Sequence, residues 1–107
     1  MNSDERAVQQ FSFAMAEKLT ECRNHGKKGW EKCSPGRLYS LLLREVAELG
    51  VATLDTHEDF AADDIEAECV DVANFAMFLW SVVRTRAARR GRSMRTLCAS
   101  TIRSRRI

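Results

Sequence analysis

Apolar residues recur at steps of three and four in three stretches of the chain, the spacing of helices with one buried face. Val8, Phe11, Met15 and Leu19 predict a first helix over about 4–22. Ser3 is placed to cap it, and Asp4 and Glu5 sit in the first turn, where the helix dipole favours acids. The stretch RNHGKKGWEKCSPG (23–36) breaks the pattern with glycines and a Ser-Pro pair and reads as a loop. Pro35 or Gly36 opens a second helix, with Leu38, Leu41, Leu42, Val46 and Leu49 as its apolar stripe and Gly50 near its end. Residues 51–61 are polar and acidic, a connection with room for some helical extension. A third helix is expected from Ala62 to about Arg89, ended by Gly91, and residues 92–107 form either a fourth, basic helix or a frayed end. No stretch alternates with period two.

The fold class is therefore all-α, an antiparallel helical bundle. Its third helix contains FAMFLWSVV (75–83), which is apolar all round and predicts burial at a subunit interface, so the bundle is completed by oligomerisation. A length of 107 residues with 45% apolar composition gives one domain, residues 1–91, followed by the basic segment 92–107. The apolar run 70–83 includes Asp71 and Asn74 and is too short and too polar to span a bilayer. The polar start MNSDERAVQQ lacks the apolar core of a secretory leader, which points to the cytoplasm. Cys22, Cys33, Cys69 and Cys98 are scattered singly and read as free thiols. A zinc set of Cys22, His25, Cys33 and His57 fits no recurrent spacing.

Charge changes the picture, because it is divided along the chain. Residues 1–71 hold all 15 acids and eight bases, a balance of −7, whereas residues 72–107 hold nine arginines and no acid. Such an arginine run could neutralise nucleic-acid phosphates, although no aromatic follows Trp80 to stack on bases. It could equally complement the acidic segment 55–71 of a neighbouring subunit. The second functional reading is thus a non-enzymatic helical oligomer that binds nucleic acid or a protein partner through its arginine-rich C-terminus.

The carboxylates carry the first reading. Glu45 and Glu48 are three residues apart on the second helix, and Glu68 and Asp71 have the same spacing on the third, so each pair shares a face. Both pairs interrupt apolar surroundings, where an ionised carboxylate is costly unless neutralised. Two facing pairs would place four carboxylates around one small volume. Such a cluster repels itself without a cation and holds a hard divalent ion with one. The bland reading leaves all four on solvated faces.

The pattern E-x-x-E, 19 residues, then E-x-x-D, with the phrases LYSLLLREVAEL and IEAECVDVANFAMFL, resembles the MazG-like all-α nucleoside triphosphate pyrophosphohydrolases. That superfamily includes the dimeric dUTPases and phosphoribosyl-ATP pyrophosphohydrolase. The resemblance spans about residues 5–85, with its specific part in 38–80. It implies Mg²⁺, with Mn²⁺ as a substitute, held by Glu45, Glu48, Glu68 and Asp71. It also implies hydrolysis of a nucleoside triphosphate, a dNTP in the first place, to monophosphate and pyrophosphate in nucleotide-pool sanitation. Glu48 is the candidate for holding the attacking water. The family motif usually opens with two glutamates, and Arg44 stands at the first of those positions here, which bears on the tuning of the ligands.

Further candidates are weaker. Asn74 shares the face of Asp71 and is either a ribose or base contact or a locally satisfied amide. Trp30 either stacks on a base while Lys27, Lys28 or Lys32 approaches the phosphates, or plugs the end of the bundle. Arg37 and Tyr39 are possible nucleotide contacts, His25 and His57 read as surface residues, and Phe75, Phe78 and Trp80 as core or interface.

Overall fold

The computed structural model describes residues 1–24, 29–54 and 62–105, the last segment as backbone alone beyond Gly91. They form helix α1 (Ser3–Asn24), a 3₁₀ turn (Trp30–Lys32), helix α2 (Pro35–Leu54) and helix α3 (Ala62–Arg105). Among the described residues there is no strand, and no helix is long and apolar enough to cross a membrane.

Local chemistry sets most of the helix ends. The cap of α1 is Asn2 rather than Ser3: its Oδ1 accepts from the Glu5 amide at 2.8 Å, and its side-chain amide donates back to the Glu5 carboxylate at 3.2 Å. That reciprocal pair satisfies an N–H group the helix leaves open. The Ser-Pro pair works similarly at α2, where Ser34 Oγ accepts from the Arg37 amide at 3.1 Å and Pro35 takes the first helical position. Gly29, at φ 104°, turns the chain into the 3₁₀ turn, a backbone conformation that side chains with a Cβ rarely adopt. The expected stop at Gly91 is not observed, and α3 runs through it to Arg105. One helical glycine costs about 1 kcal/mol, too little to end a helix whose neighbours, AARR and RSMRTL, form helix well.

α2 and α3 form an antiparallel hairpin, because residues farther along α2 meet residues earlier in α3. Leu38, fully buried, packs with Phe78 and Val82, whereas Glu45 and Glu48 meet Glu68. Trp30 stacks on Phe78 with centroids 4.5 Å apart, and Phe75 meets Phe78 edge-on at 5.4 Å. The 3₁₀ turn thereby closes one end of the core, and an ion pair between Arg23 and Glu31 at 3.1 Å links it to α1. Helix α1 lies against α3 through its second half only. Of its expected stripe, Met15 and Leu19 are partly covered, while Val8 and Phe11 are exposed.

The chain leaves much of itself uncovered. It exposes 8730 Å², where a compact monomer of its mass would expose about 6,100 Å². Tyr39, Leu43 and Val46 on α2 and Trp80 and Val83 on α3 belong to faces left exposed among the described residues.

Candidate functional site

The apolar stripes fix which side chains meet. With Leu38, Leu49 and Ala52 turned toward α3, Glu45 and Glu48 fall at the edge of the same face. With Asn74, Phe78 and Val82 turned toward α2, Glu68 and Asp71 fall six and three residues before Asn74 on that face. Glu45, Glu48 and Glu68 each bring a carboxylate oxygen into a group lying within 4.8 Å of one another. Asp71 is not one of that trio, but it lines the adjoining cleft with Glu45, and its charge acts on both Glu45 and Glu68.

The electrostatics of the trio are unfavourable as it stands. Burial, then the hydrogen bond and like charge from Glu48, push Glu45 up to about 7 from an ordinary value of 4.5. Glu68 is raised by the same kinds of cause, burial first and then the charge of Glu48, with Lys18 pulling the other way. Its Oε2 is buried without a hydrogen-bond partner. Buried carboxylate oxygens normally find donors, and acids this close normally share a proton or a cation. An all-oxygen set with an orphaned oxygen suits a hard divalent cation, which prefers carboxylates to soft ligands.

Beside the acids lies a cleft of about 560 Å³ between α1, the 3₁₀ turn, α2 and α3. Trp30, Phe75, Phe78 and Leu38 give it apolar and aromatic walls, and Lys18, Arg23 and Arg44 add positive charge. A volume of this size holds a small organic ligand. Asn74 is 3% exposed on its wall, donating through Nδ2 to the Met15 carbonyl at 3.4 Å, while its Oδ1 has no partner. The amide is thus only half satisfied within the chain.

The structure therefore brings Glu45, Glu48, Glu68, Asp71, Asn74 and Trp30 to one region. Trp30 stacks on Phe78 at the end of the core, and its ring also lines the cleft. Lys32 is exposed and is not a lining residue. Neither Arg37 nor Tyr39 lines the cleft, and both are exposed. Lys27, Lys28, His25 and His57, and with the histidines the zinc set, lie outside the described residues. Cys22, Cys33 and Cys69 are free thiols.

Sequence patterning missed the contribution of α1. Lys18, Cys22 and Arg23 line the cleft beside Leu19, and the only available signal was that the stripe ending at Leu19 extends one turn to Cys22. Arg44, read as a departure from a motif, lines the cleft next to Glu45. Comparison with protein-family models, with curated proteins and with solved structures finds no match for this chain.

Proposed function

We propose that this protein is a Mg²⁺-dependent nucleoside triphosphate pyrophosphohydrolase, acting on dNTPs in the first place to give a nucleoside monophosphate and pyrophosphate. The observation that carries the reading is the convergence of Glu45, Glu48 and Glu68 beside a cleft with aromatic walls and cationic side chains. The MazG-like resemblance of the motif supports the same chemistry. Sanitation of a cytoplasmic nucleotide pool is the role that follows.

Glu45, Glu48, Glu68 and Asp71 would hold the ion, with Mn²⁺ as a substitute. When bound, a divalent cation neutralises triphosphate oxygens and the charge that develops on them during phosphoryl transfer. The chain's own groups do the rest. Glu48, the exposed member of the trio, orients the water that attacks one phosphorus of the α–β bridge and takes its proton; the bond from that phosphorus to the bridging oxygen breaks, and the bridging oxygen leaves with the other product. Lys18, Arg23 and Arg44 draw the phosphates into the cleft, as guanidinium and ammonium groups do for oxyanions. The faces of Trp30 and Phe75 suit a base, and Asn74 Oδ1 offers an acceptor to an N–H of base or sugar-bound water. The uncovered apolar faces of α2 and α3 support a homo-oligomer as the working form.

The test is a panel of nucleoside and deoxynucleoside triphosphates with Mg²⁺, followed by Glu48→Gln and Asp71→Asn. Turnover that falls by about 10²–10⁴-fold in both variants, with folding retained, is the expected result. Turnover indifferent to both substitutions would place the chemistry elsewhere.

A further inference from the structure

Helix α3 divides in the middle by charge. Its first 22 residues, 62–83, hold five acids and no base, and its last 22, 84–105, hold eight arginines and no acid. Neither half is explained by the hydrolytic site, which uses only Glu68 and Asp71. The face of α3 turned away from the core carries a second pattern. Cys69, Ala73, Ala76, Trp80, Val83 and Ala87 recur at steps of four and three, the spacing of a seam between two packed helices. Trp80 is 61% exposed and Val83 49%. A tryptophan left open in this way, with the Arg84 guanidinium 5.2 Å from its ring, is unusual in a finished core.

The seam is symmetric about residue 78. If a second copy of α3 lies antiparallel on it, Ala76 meets Trp80 of the partner subunit, Ala73 meets the partner's Val83, and Cys69 meets the partner's Ala87. At the central layers a large side chain thus meets a small one, the arrangement that lets two helices approach and interdigitate. The same register sets residues 62–72 of each helix, which hold its five acids, against residues 84–94 of the other, which hold five arginines and no acid, with Glu66 opposite the partner's Arg90. A parallel pairing would set like charge against like, which is destabilising.

We infer that two copies of this chain associate through α3, antiparallel and about a two-fold axis near residue 78, with the charge-divided halves fixing the direction. The pairing rests on the oligomeric part of the proposed function and is independent of the hydrolytic part. The occupant is a second copy because both the size pattern and the charge pattern are self-complementary, as an isologous interface requires.

The full chain by sedimentation equilibrium tests this. The wild type is expected at twice 12.2 kDa or an even multiple of it. Ala76→Trp sets two indoles against each other and weakens association about 100-fold, given overpacking at two symmetric positions. The double variant Ala76→Trp/Trp80→Ala exchanges the sizes across the axis and restores the affinity. Independently, Ala87→Cys with native Cys69 gives a disulfide-linked dimer on oxidation with copper–phenanthroline, and Arg89→Cys, off the seam, does not. A monomer at all concentrations would overturn both this pairing and the oligomeric reading. An oligomer that ignores Ala76→Trp, or that the double variant fails to restore, overturns the α3 pairing and leaves the oligomeric reading standing. Equal cross-linking at positions 87 and 89 overturns the pairing in the same way.

Discussion

Glu45 on α2 and Glu68 on α3, 23 positions apart in the chain, hold carboxylate oxygens within 4.8 Å of each other, with Glu48 completing the group. The antiparallel hairpin that buries Leu38 against Phe78 also forces these acids together, so the core and the acid cluster share one register. Folding of the metal-free chain works against that repulsion, and this gives the first prediction.

Because the folded-state value of Glu45 lies at about 7, above the unfolded value near 4.5, the folded chain binds more protons than the unfolded chain between those limits. Its contribution is therefore most favourable below about pH 4.5 and is lost as pH rises through 7. Metal-free protein should lose on the order of 1 kcal/mol from this group between pH 5 and 8, allowing for solvent screening. Urea midpoints in a chelator measure the slope. Glu45→Gln flattens it, and a saturating divalent cation reverses its sign by stabilising the ionised cluster.

Asn74 gives a prediction about binding rather than stability of the cluster. If its free Oδ1 accepts from the nucleotide, Asn74→Ala raises KM by about tenfold, the value of one hydrogen bond at the upper end of the usual range. The cation-induced rise in Tm stays unchanged, because the acids are intact. Steady-state kinetics beside thermal melts with and without Mg²⁺ separate the two effects.

The two backbone glycines predict opposite signs. A Cβ at Gly91 would meet nothing within 4 Å and the residue is helical, so Gly91→Ala should stabilise by about 0.5–1 kcal/mol. At Gly29 a Cβ also meets nothing, but φ is 104°, so Gly29→Ala should destabilise by about 1–2 kcal/mol and loosen the turn that carries Trp30. Chemical denaturation of both variants decides the matter.

The parts of this arrangement that depend on helical period were readable from the chain. Of the stripe Leu38, Leu41, Leu42, Val46 and Leu49, all but the exposed Val46 lie on the covered face of α2, and the i, i+3 acids then have to lie at its edge. The parts that depend on competition between signals were not. Asn2 and Ser3 are both good caps, and the structure selects the one whose partner three residues on is Glu5. Gly91 carries a stop signal that its helix-forming neighbours outweigh. The cleft wall from α1 was hidden for another reason: the angle at which α1 lies on α3 is a tertiary property, so Lys18 and Arg23 gave no periodic sign of facing the acids. The apolar ring of 75–83 was legible as surface needing cover, and Trp80 is indeed left open, whereas Phe78 is core.

The central claim is that the acids and the cleft together cut a nucleoside triphosphate at the α–β bridge. ³¹P NMR of a deoxynucleoside triphosphate incubated with the wild-type protein and Mg²⁺ tests it most directly. The resonances of pyrophosphate and the nucleoside monophosphate should grow in equal amounts, only with the divalent cation present, and not with Glu48→Gln. Orthophosphate with a nucleoside diphosphate, or no turnover of any triphosphate offered, would contradict it.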